Sequence, residues 1–319
     1  MTFDVVFPVV LAVFSLVGVG ALAGRTKLLS DAVATGLAGY VTRLAVPVLL
    51  FRVMVFGDLP ASPPWALWIA YFAGVALVFP IAIFLMTRVF GRDAVVGVIS
   101  GVAAGFANTI MVGIPLVTAA YGEEGLVALT LLLSVHLPVM MLATSILIAW
   151  AKAPDKAPNL LKATGEVARS LATNHLVMGL VIGFAVRLAG LPIEGFLANV
   201  VNQIAETAIP CALIVLGLNL NQYGVKGTIL PAIALSGLKL FVMPAAVFFV
   251  SYYVVGLSAL WTSVMTLTAA CPTGINAYLI GSYFGTGMRI ASSTITITTL
   301  AGLATLSFWI AFLANFAPI

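Results

Sequence analysis

Two interrupted stretches of apolar sequence decide the fold: residues 105–115 read GFANTIMVGIP, and residues 269–278 read AACPTGINAY. Each stretch places proline, glycine, asparagine and threonine in the middle of a run long enough to cross a membrane. Proline removes a backbone donor and its ring collides with the preceding turn, and glycine loosens the helix further. Backbone groups freed inside a membrane are tolerated only where they are buried in protein or face water. The two stretches therefore predict discontinuous helices in a membrane protein.

The composition supports this class. Of the 319 residues, 62% are apolar and only 8% are charged, whereas an ordinary soluble domain carries about 25% charged residues. So little charge cannot cover a water-facing surface, which excludes a soluble enzyme, a nucleic-acid binder and a disordered chain. The two cysteines, Cys211 and Cys271, lie in separate apolar runs and form no metal-ligand set. Without a catalytic triad or nucleotide-binding motif, we expect no cofactor, no metal and no enzymatic activity.

Ten apolar runs have the length of about 20 residues that a membrane-spanning helix needs. We therefore predict an all-α membrane protein with ten transmembrane helices. A linker at residues 152–173 separates two halves of five helices, at residues 1–151 and 174–319. The ten predicted spans begin near Phe3, Ala34, Trp65, Ala94, Gly125, His175, Phe196, Thr228, Ser258 and Met288.

The loops differ strongly in positive charge, which is concentrated on the cytoplasmic side of membrane proteins. One side holds only Arg52 and Arg187, together with several acidic residues. We expect that side to face outward with both termini, and the central linker to be cytoplasmic. The other side holds ten basic residues: Arg25, Lys27, Arg88, Arg92, Lys152, Lys156, Lys162, Arg169, Lys226 and Arg289.

The two halves match at a nearly constant offset. Pro47 and Pro210 are 163 residues apart, as are Gly122 and Gly285, and the same offset pairs Asn108 with Cys271. Because each half has an odd number of predicted spans, the second half enters the membrane from the opposite side. The pattern predicts inverted repeats, a common architecture of secondary transporters. Chance coincidence in a chain with so many apolar residues is the alternative.

In such folds the binding site forms where discontinuous helices cross near the middle of the membrane. Half-helix N-termini carry a partial positive charge, and here they would converge on one point and favour an anionic group such as a carboxylate. Asparagine and threonine side chains would add neutral hydrogen bonds. Ordinary proline and glycine usage in membrane helices is the alternative reading. The predicted substrate-binding residues are Pro47, Asn108, Thr109, Gly113, Pro115, Pro210, Cys271, Pro272, Thr273, Gly274, Asn276 and Tyr278.

Charged side chains within spans are costly and are functional candidates by default. Lys239 lies in the middle of the eighth span, and Arg43 and Glu206 precede Pro47 and Pro210 by four residues each. We predict roles in ion or proton coupling for these three residues. Snorkelling to the interface is the alternative for Arg43. His136, in the fifth span, is a candidate proton relay, although packing explains a lone histidine as well.

Glycines repeat every four residues in two of the predicted spans, at Gly97, Gly101 and Gly105 and at Gly179 and Gly183. Small residues at this spacing let neighbouring helix backbones approach closely. We therefore predict helix-packing faces at both places.

Four motifs resemble those of the auxin efflux carrier family. They read RLAVPVLLF at residues 43–51, NTIMVGIP followed by YGEEG at residues 108–125, IPCALIVLG at residues 209–217 and PTGINAY at residues 272–278. The resemblance implies a mobile transport domain beside a scaffold domain, with helices 4 and 9 crossing at the substrate site and elevator-type transport. It also implies organic anions as substrates: auxin in the plant PIN-FORMED proteins, and malonate or malate in bacterial relatives. The short central linker is similar to that of compact bacterial members, which indicates the bacterial inner membrane.

The sequence therefore predicts a secondary transporter of small organic anions. A sodium-coupled organic-anion symporter of the bile acid transporter type is the alternative within transport, and a channel or a non-translocating membrane receptor is the alternative outside it. Family analogy indicates a homodimer. Neither the anion nor its coupling to H⁺ or Na⁺ follows from the residues.

Overall fold

The computed structural model describes residues 3–153, 160–220 and 229–316. Lys156, Lys226 and part of the predicted linker lie outside these described residues. Within them the regular elements are helical. We number them α1 (Phe3–Arg25), α2 (Asp31–Phe56), α3 (Trp65–Val89), α4 (Ala94–Gly105), α5 (Thr109–Lys152), α6 (Leu160–Ala172), α7 (His175–Leu188), α8 (Gly195–Leu220), α9 (Ile229–Val254), α10 (Ala259–Ala270), α11 (Asn276–Phe284) and α12 (Met288–Leu313).

Six of the described helices are long and apolar enough to cross a membrane, and a seventh candidate arises if Ala163–Ala172 and His175–Leu188, bent by 73°, count as one span. The all-helical membrane fold predicted from composition is confirmed. The number of candidates is below ten partly because α4 and α10 have only 12 residues each. At 1.5 Å per residue such a helix is about 18 Å long, shorter than the hydrocarbon core of about 30 Å.

Prolines shape three of the long helices in the same way. Pro47, Pro115 and Pro244 each follow a five-residue turn of π type, at Val41–Ala45, Thr109–Gly113 and Leu238–Val242. A proline ring collides with the carbonyl four residues earlier, and a wider turn relieves that collision. These wide turns keep the helices continuous while redirecting the carbonyl groups beside each proline.

Close backbone packing holds the helices together at glycines. A β-carbon at Gly101 would lie 2.4 Å from the Phe79 ring of α3, and one at Gly179 would lie 2.4 Å from the Pro47 carbonyl oxygen of α2. The two predicted helix-packing faces are thus confirmed. A third close approach joins α1 to α8, where a β-carbon at Gly217 would lie 2.0 Å from the carbonyl oxygen of Val17.

The helices form two packed groups. In the first, α1 packs on α8, and α2 packs on both α7 and α8. In the second, α3 packs on α4 and α9, α9 packs on α10 and α12, and α5 packs on α4 and α10. The segments between α4 and α5 and between α10 and α11 both belong to the second group, so one body of helices carries both interruptions.

The approach of α1 to α8 yields a stability prediction. We expect Gly217→Ala to lower the melting temperature of the detergent-solubilised protein, because the added methyl group overlaps the backbone of α1 and overpacking costs about 1–3 kcal/mol. Gly18→Ala is the matched control, since no atom lies within 4 Å of a β-carbon placed there. Equal melting temperatures for the two variants, measured by tryptophan fluorescence, would contradict this contact.

Candidate functional site

The two interruptions touch each other through their backbones. The amide N–H of Asn108 donates to the carbonyl of Pro272 at 2.8 Å, and that of Gly274 donates to the carbonyl of Phe106 at 2.8 Å. These reciprocal bonds form a short antiparallel bridge centred on Ala107 and Thr273. The chain between α4 and α5 is therefore fastened to the chain between α10 and α11, and the freed backbone groups satisfy one another.

Side chains satisfy further backbone groups around this bridge. The hydroxyl of Thr273 donates to the carbonyl of Ala103, near the C-terminal end of α4, at 2.7 Å. The amide N–H of Thr273 donates to the hydroxyl oxygen of Thr298 in α12 at 3.1 Å. Thr273 is fully buried. This threonine therefore joins the two interruptions to each other and to α12.

Lys239 satisfies the C-terminal end of the other short helix. Its side chain is fully buried, and its Nζ donates to the carbonyl of Ala269, in the last turn of α10. Nζ also lies 3.4 Å from the Sδ of Met243. The final carbonyls of a helix lack partners within it and carry a partial negative charge, which a lysine near this end stabilises. Lys239 thus contacts a helix end.

Two asparagine side chains at the bridge have uncommitted hydrogen-bonding groups. The Oδ1 of Asn108 accepts from the amide N–H of Met111 at 3.1 Å and caps the first turn of α5, while its Nδ2 has no protein partner within the described part of the chain. Asn276 begins α11, and its side chain has no hydrogen-bond partner among the described residues. Both asparagines are half-buried. They could donate to a ligand at the junction.

The remaining predicted site residues divide by position. Thr109, Gly113 and Pro115 are buried in the first turns of α5, and a β-carbon at Gly113 would lie 3.8 Å from the Sγ of Cys271. The Pro272 ring lies beside Gly302 of α12, at 3.2 Å from a β-carbon placed there. These residues all adjoin the bridge.

The proline pair of α2 and α8 lies beside the junction. Pro47 is buried, and its carbonyl lies against Gly179 of α7. Pro210 is half-buried in α8, the helix that packs on the wide turn Thr109–Gly113. Tyr278 is half-buried in the first turn of α11. Through α8 and α11, these elements contribute to the surroundings of the junction.

Arg43 and Glu206 lie elsewhere. Both side chains are exposed, and no hydrogen bond or ion pair in the described ranges joins either of them to the bridge. Near them, the hydroxyl groups of Tyr40 and Thr207 lie 2.7 Å apart and link α2 to α8. Of the three predicted coupling residues, the structure brings only Lys239 to the junction.

His136 packs against a residue of the bridge. Its imidazole ring lies 4.6 Å, centroid to centroid, from the ring of Phe106, whose carbonyl takes part in the bridge. Its Nε2 lies 3.4 Å from the hydroxyl oxygen of Tyr71, which is fully buried. The contact with Phe106 agrees with the packing alternative for this histidine. The sequence identified His136 as a candidate but gave no sign of its partners.

A cavity of about 630 Å³, which no sequence motif predicted, lies at one end of the helices. At its rim Arg52 of α2 forms an ion pair with Glu123 of α5. Glu123 directly follows Gly122, where α5 bends with a φ of 59° that favours glycine. The charged and polar lining residues are Arg52, Asp58, Glu123, Glu124 and Asn202.

The sequence of this chain is similar to those of known membrane transport proteins. Residues 5–310 match the family model described as "Membrane transport protein". The chain is 24% identical to the "Putative malonate transporter" of Rhizobium meliloti, over 93% of this chain and 92% of that protein. It is also 24% identical to an "Uncharacterized transporter" of Methanothermobacter thermautotrophicus, over 94% and 96% of the two chains.

A relative from Methanocaldococcus jannaschii, also named an uncharacterized transporter, is 27% identical over 63% of this chain and 64% of that protein. The family match spans both interruptions and nearly every helix of the described fold. This chain therefore belongs to the membrane transport protein family, the family of the auxin efflux carriers.

Proposed function

We propose that this membrane transporter carries small organic anions as a secondary transporter, and that the anion binds where the two interrupted helices meet. The observation that carries the proposal is the reciprocal backbone bridge with two uncommitted asparagine side chains beside it. Helices α5 and α11 both begin at this junction. Helix N-termini offer free amide N–H groups and a partial positive charge, which suit a carboxylate.

The chemistry of the junction favours a carboxylate over a cation as the bound group. The Nδ2 of Asn108 is a free hydrogen-bond donor, and the side-chain amide of Asn276 offers both a donor and an acceptor. Lys239 places a positive charge one helix away. The crossing residues include no acidic side chain. The malonate named for one relative is an anion of this class. We therefore propose short carboxylates, malonate and malate among them, as the substrates.

We also propose that the chain is an inverted repeat of two five-helix halves, at residues 1–151 and 174–319. Three backbone features support it. The bridge pairs Ala107 with Thr273 symmetrically, Gly122 and Gly285 both have positive φ angles, and wide turns occur at both Leu85–Val89 and Val250–Val254. If each interrupted pair counts as one span and α5 is divided at its Gly122 bend, the described helices amount to ten spans, with α6 in the linker.

The register at the bridge differs from the offset read from the prolines. Ala107 and Thr273 are 166 residues apart, against 163 for Pro47 and Pro210. The repeat equivalent of Asn108 in this register would be Gly274 and not Cys271. Relative to the first half, the second half would have three more residues between Pro210 and Thr273 and three fewer between Thr273 and Gly285.

We further propose alternating access by an elevator-type movement. The first packed group, α1, α2, α7 and α8, would be the scaffold, and the second group would be the transport domain that carries the junction. The arrangement of close contacts within each group supports this division. The ion pair between Arg52 and Glu123 joins the two groups, so a relative movement of the groups would break it. We propose that this rim and both termini face outward from the inner membrane of a bacterium.

The asparagines give the first test of the site. Asn276→Ala should weaken binding of malonate or its transported relatives about 10- to 100-fold, because a hydrogen bond to a charged group contributes about 1.5–3 kcal/mol. Asn108→Ala should have a similar effect. The measurement is tracer counterflow in proteoliposomes across a panel of short carboxylates, with ligand binding to the purified protein measured in parallel.

Asn315→Ala is the matched control, because Asn315 is exposed near the end of α12 and bonds only to its own helix. Wild-type affinity in both folded junction variants would place the anion elsewhere. Saturable binding without counterflow would indicate a receptor, and conductance without saturation would indicate a channel.

The proposed movement gives a second test. Cysteines at Arg52 and Glu123, joined by a thiol-specific cross-linker that a reductant cleaves, should stop transport, and reduction should restore it. Cysteines at Tyr40 and Thr207 form the matched control, because both positions lie within the proposed scaffold. Cross-linking there should leave transport intact. Full transport after quantitative cross-linking of the first pair would rule out relative movement at this rim.

A further inference from the structure

The C-terminal end of α10 places helix-end carbonyl groups, which lack partners within the helix, inside the buried core. This helix ends at Ala270 inside the buried core, directly before the junction. The last carbonyls of any helix have no partners within it, and together they carry a partial negative charge. In transporters with broken helices, such carbonyl groups commonly coordinate the coupling Na⁺. Some cation or donor must therefore meet this end of α10.

Here a side chain of the protein itself meets that end. The Nζ of Lys239 reaches across from the wide turn Leu238–Val242 in α9 and donates to the carbonyl of Ala269. The lysine is fully buried. The lysine lies within the wide turn that precedes Pro244. The ammonium group thus lies where a bound alkali cation would contact the same carbonyl.

Among the described residues, no carboxylate is hydrogen-bonded or ion-paired to Lys239. The titratable groups near enough to Lys239 for electrostatic coupling are Cys271 at the interruption and His136 of α5, and Tyr71 of α3 is similarly near Cys271. The sulfur of Met243 is the other recorded contact of Nζ. An ammonium group here would thus face the partial negative charge of the end of α10 without a paired carboxylate, and it would also attract an anion at the junction.

The end of α4 is satisfied in a different way. There the neutral hydroxyl of Thr273 donates to the carbonyl of Ala103. The two short helices are thus not equivalent in charge, although both end at the same bridge. Only the α10 side of the described junction is met by a basic side chain.

We propose that the Lys239 ammonium is a built-in cation that replaces a coupling Na⁺ at the C-terminal end of α10, so that anion binding at the junction does not require sodium. The inference rests on the proposed anion-transport function for its second arm only. Lys239 acts as a positioning residue: it stabilises the end of the half-helix beside the anion and does not itself have to contact the substrate.

The first arm of the test needs no substrate. Lys239→Ala removes the cation and leaves space beside the Ala269 carbonyl, so the melting temperature should fall in choline chloride and recover in sodium or methylammonium chloride. The wild type and Lys27→Ala, which removes a lysine from an exposed turn, should respond equally to all these salts. Lys239→Met fills the space without a charge, so its melting temperature should fall without recovery in any salt.

The second arm measures malonate binding to the wild type in sodium and in choline chloride at equal ionic strength. We expect the two affinities to agree within about twofold. Sodium-dependent binding would overturn the built-in cation while leaving the anion-transport proposal intact. A Lys239→Ala protein that folds but shows no salt-specific recovery would also overturn it. If Lys239→Ala does not fold, Lys239→Ser takes its place in the first arm.

Failure of the wild type to bind any carboxylate would overturn the proposed substrate class. The proposal of a built-in cation would still be tested by the first arm, because that arm measures stability alone. The two proposals can thus fail separately.

Discussion

Backbone groups left without partners inside a membrane are the constraint on which this structure depends. Each unsatisfied N–H or C=O group in hydrocarbon costs several kcal/mol, because no water is present to replace the lost hydrogen bond. Two helices are nevertheless interrupted in the core of the protein. The reciprocal bonds between Asn108 and Pro272 and between Gly274 and Phe106 satisfy the freed groups mutually. Neither interruption could be satisfied in this way without the other.

The same constraint concentrates polar chemistry at one place. Thr273 and Lys239 supply donors to the two helix ends that the bridge does not reach, whereas the side chains of Asn108 and Asn276 keep hydrogen-bonding groups free. The backbone groups of the junction have hydrogen-bond partners within the protein, while some of its side-chain groups remain free to bind a ligand. Such a junction can exchange a ligand without losing its own structure. This property suits a transporter, whose site must release its substrate in every cycle.

Close packing of helix backbones supports the junction from both sides. Glycines allow α4 to lie against α3 and α7 to lie against α2, and the regular spacing of these glycines made both contacts predictable. The equally close approach of α1 and α8 was not predicted, although Gly20 and Gly24 of α1 stand four residues apart. Gly217, on the α8 side of this contact, has no glycine at that spacing.

The sequence by itself determined the all-helical membrane class, the two interruptions and the family, because low charge and helix-breaking residues act on contiguous chain. Only the tertiary structure decided which atoms meet. The bridge pairs Asn108 with Pro272 and Gly274 with Phe106, three residues away from the register that the prolines predicted, and Lys239 meets a helix end. Such contacts join segments that are 30 to about 170 residues apart, and packing of the intervening helices sets their register.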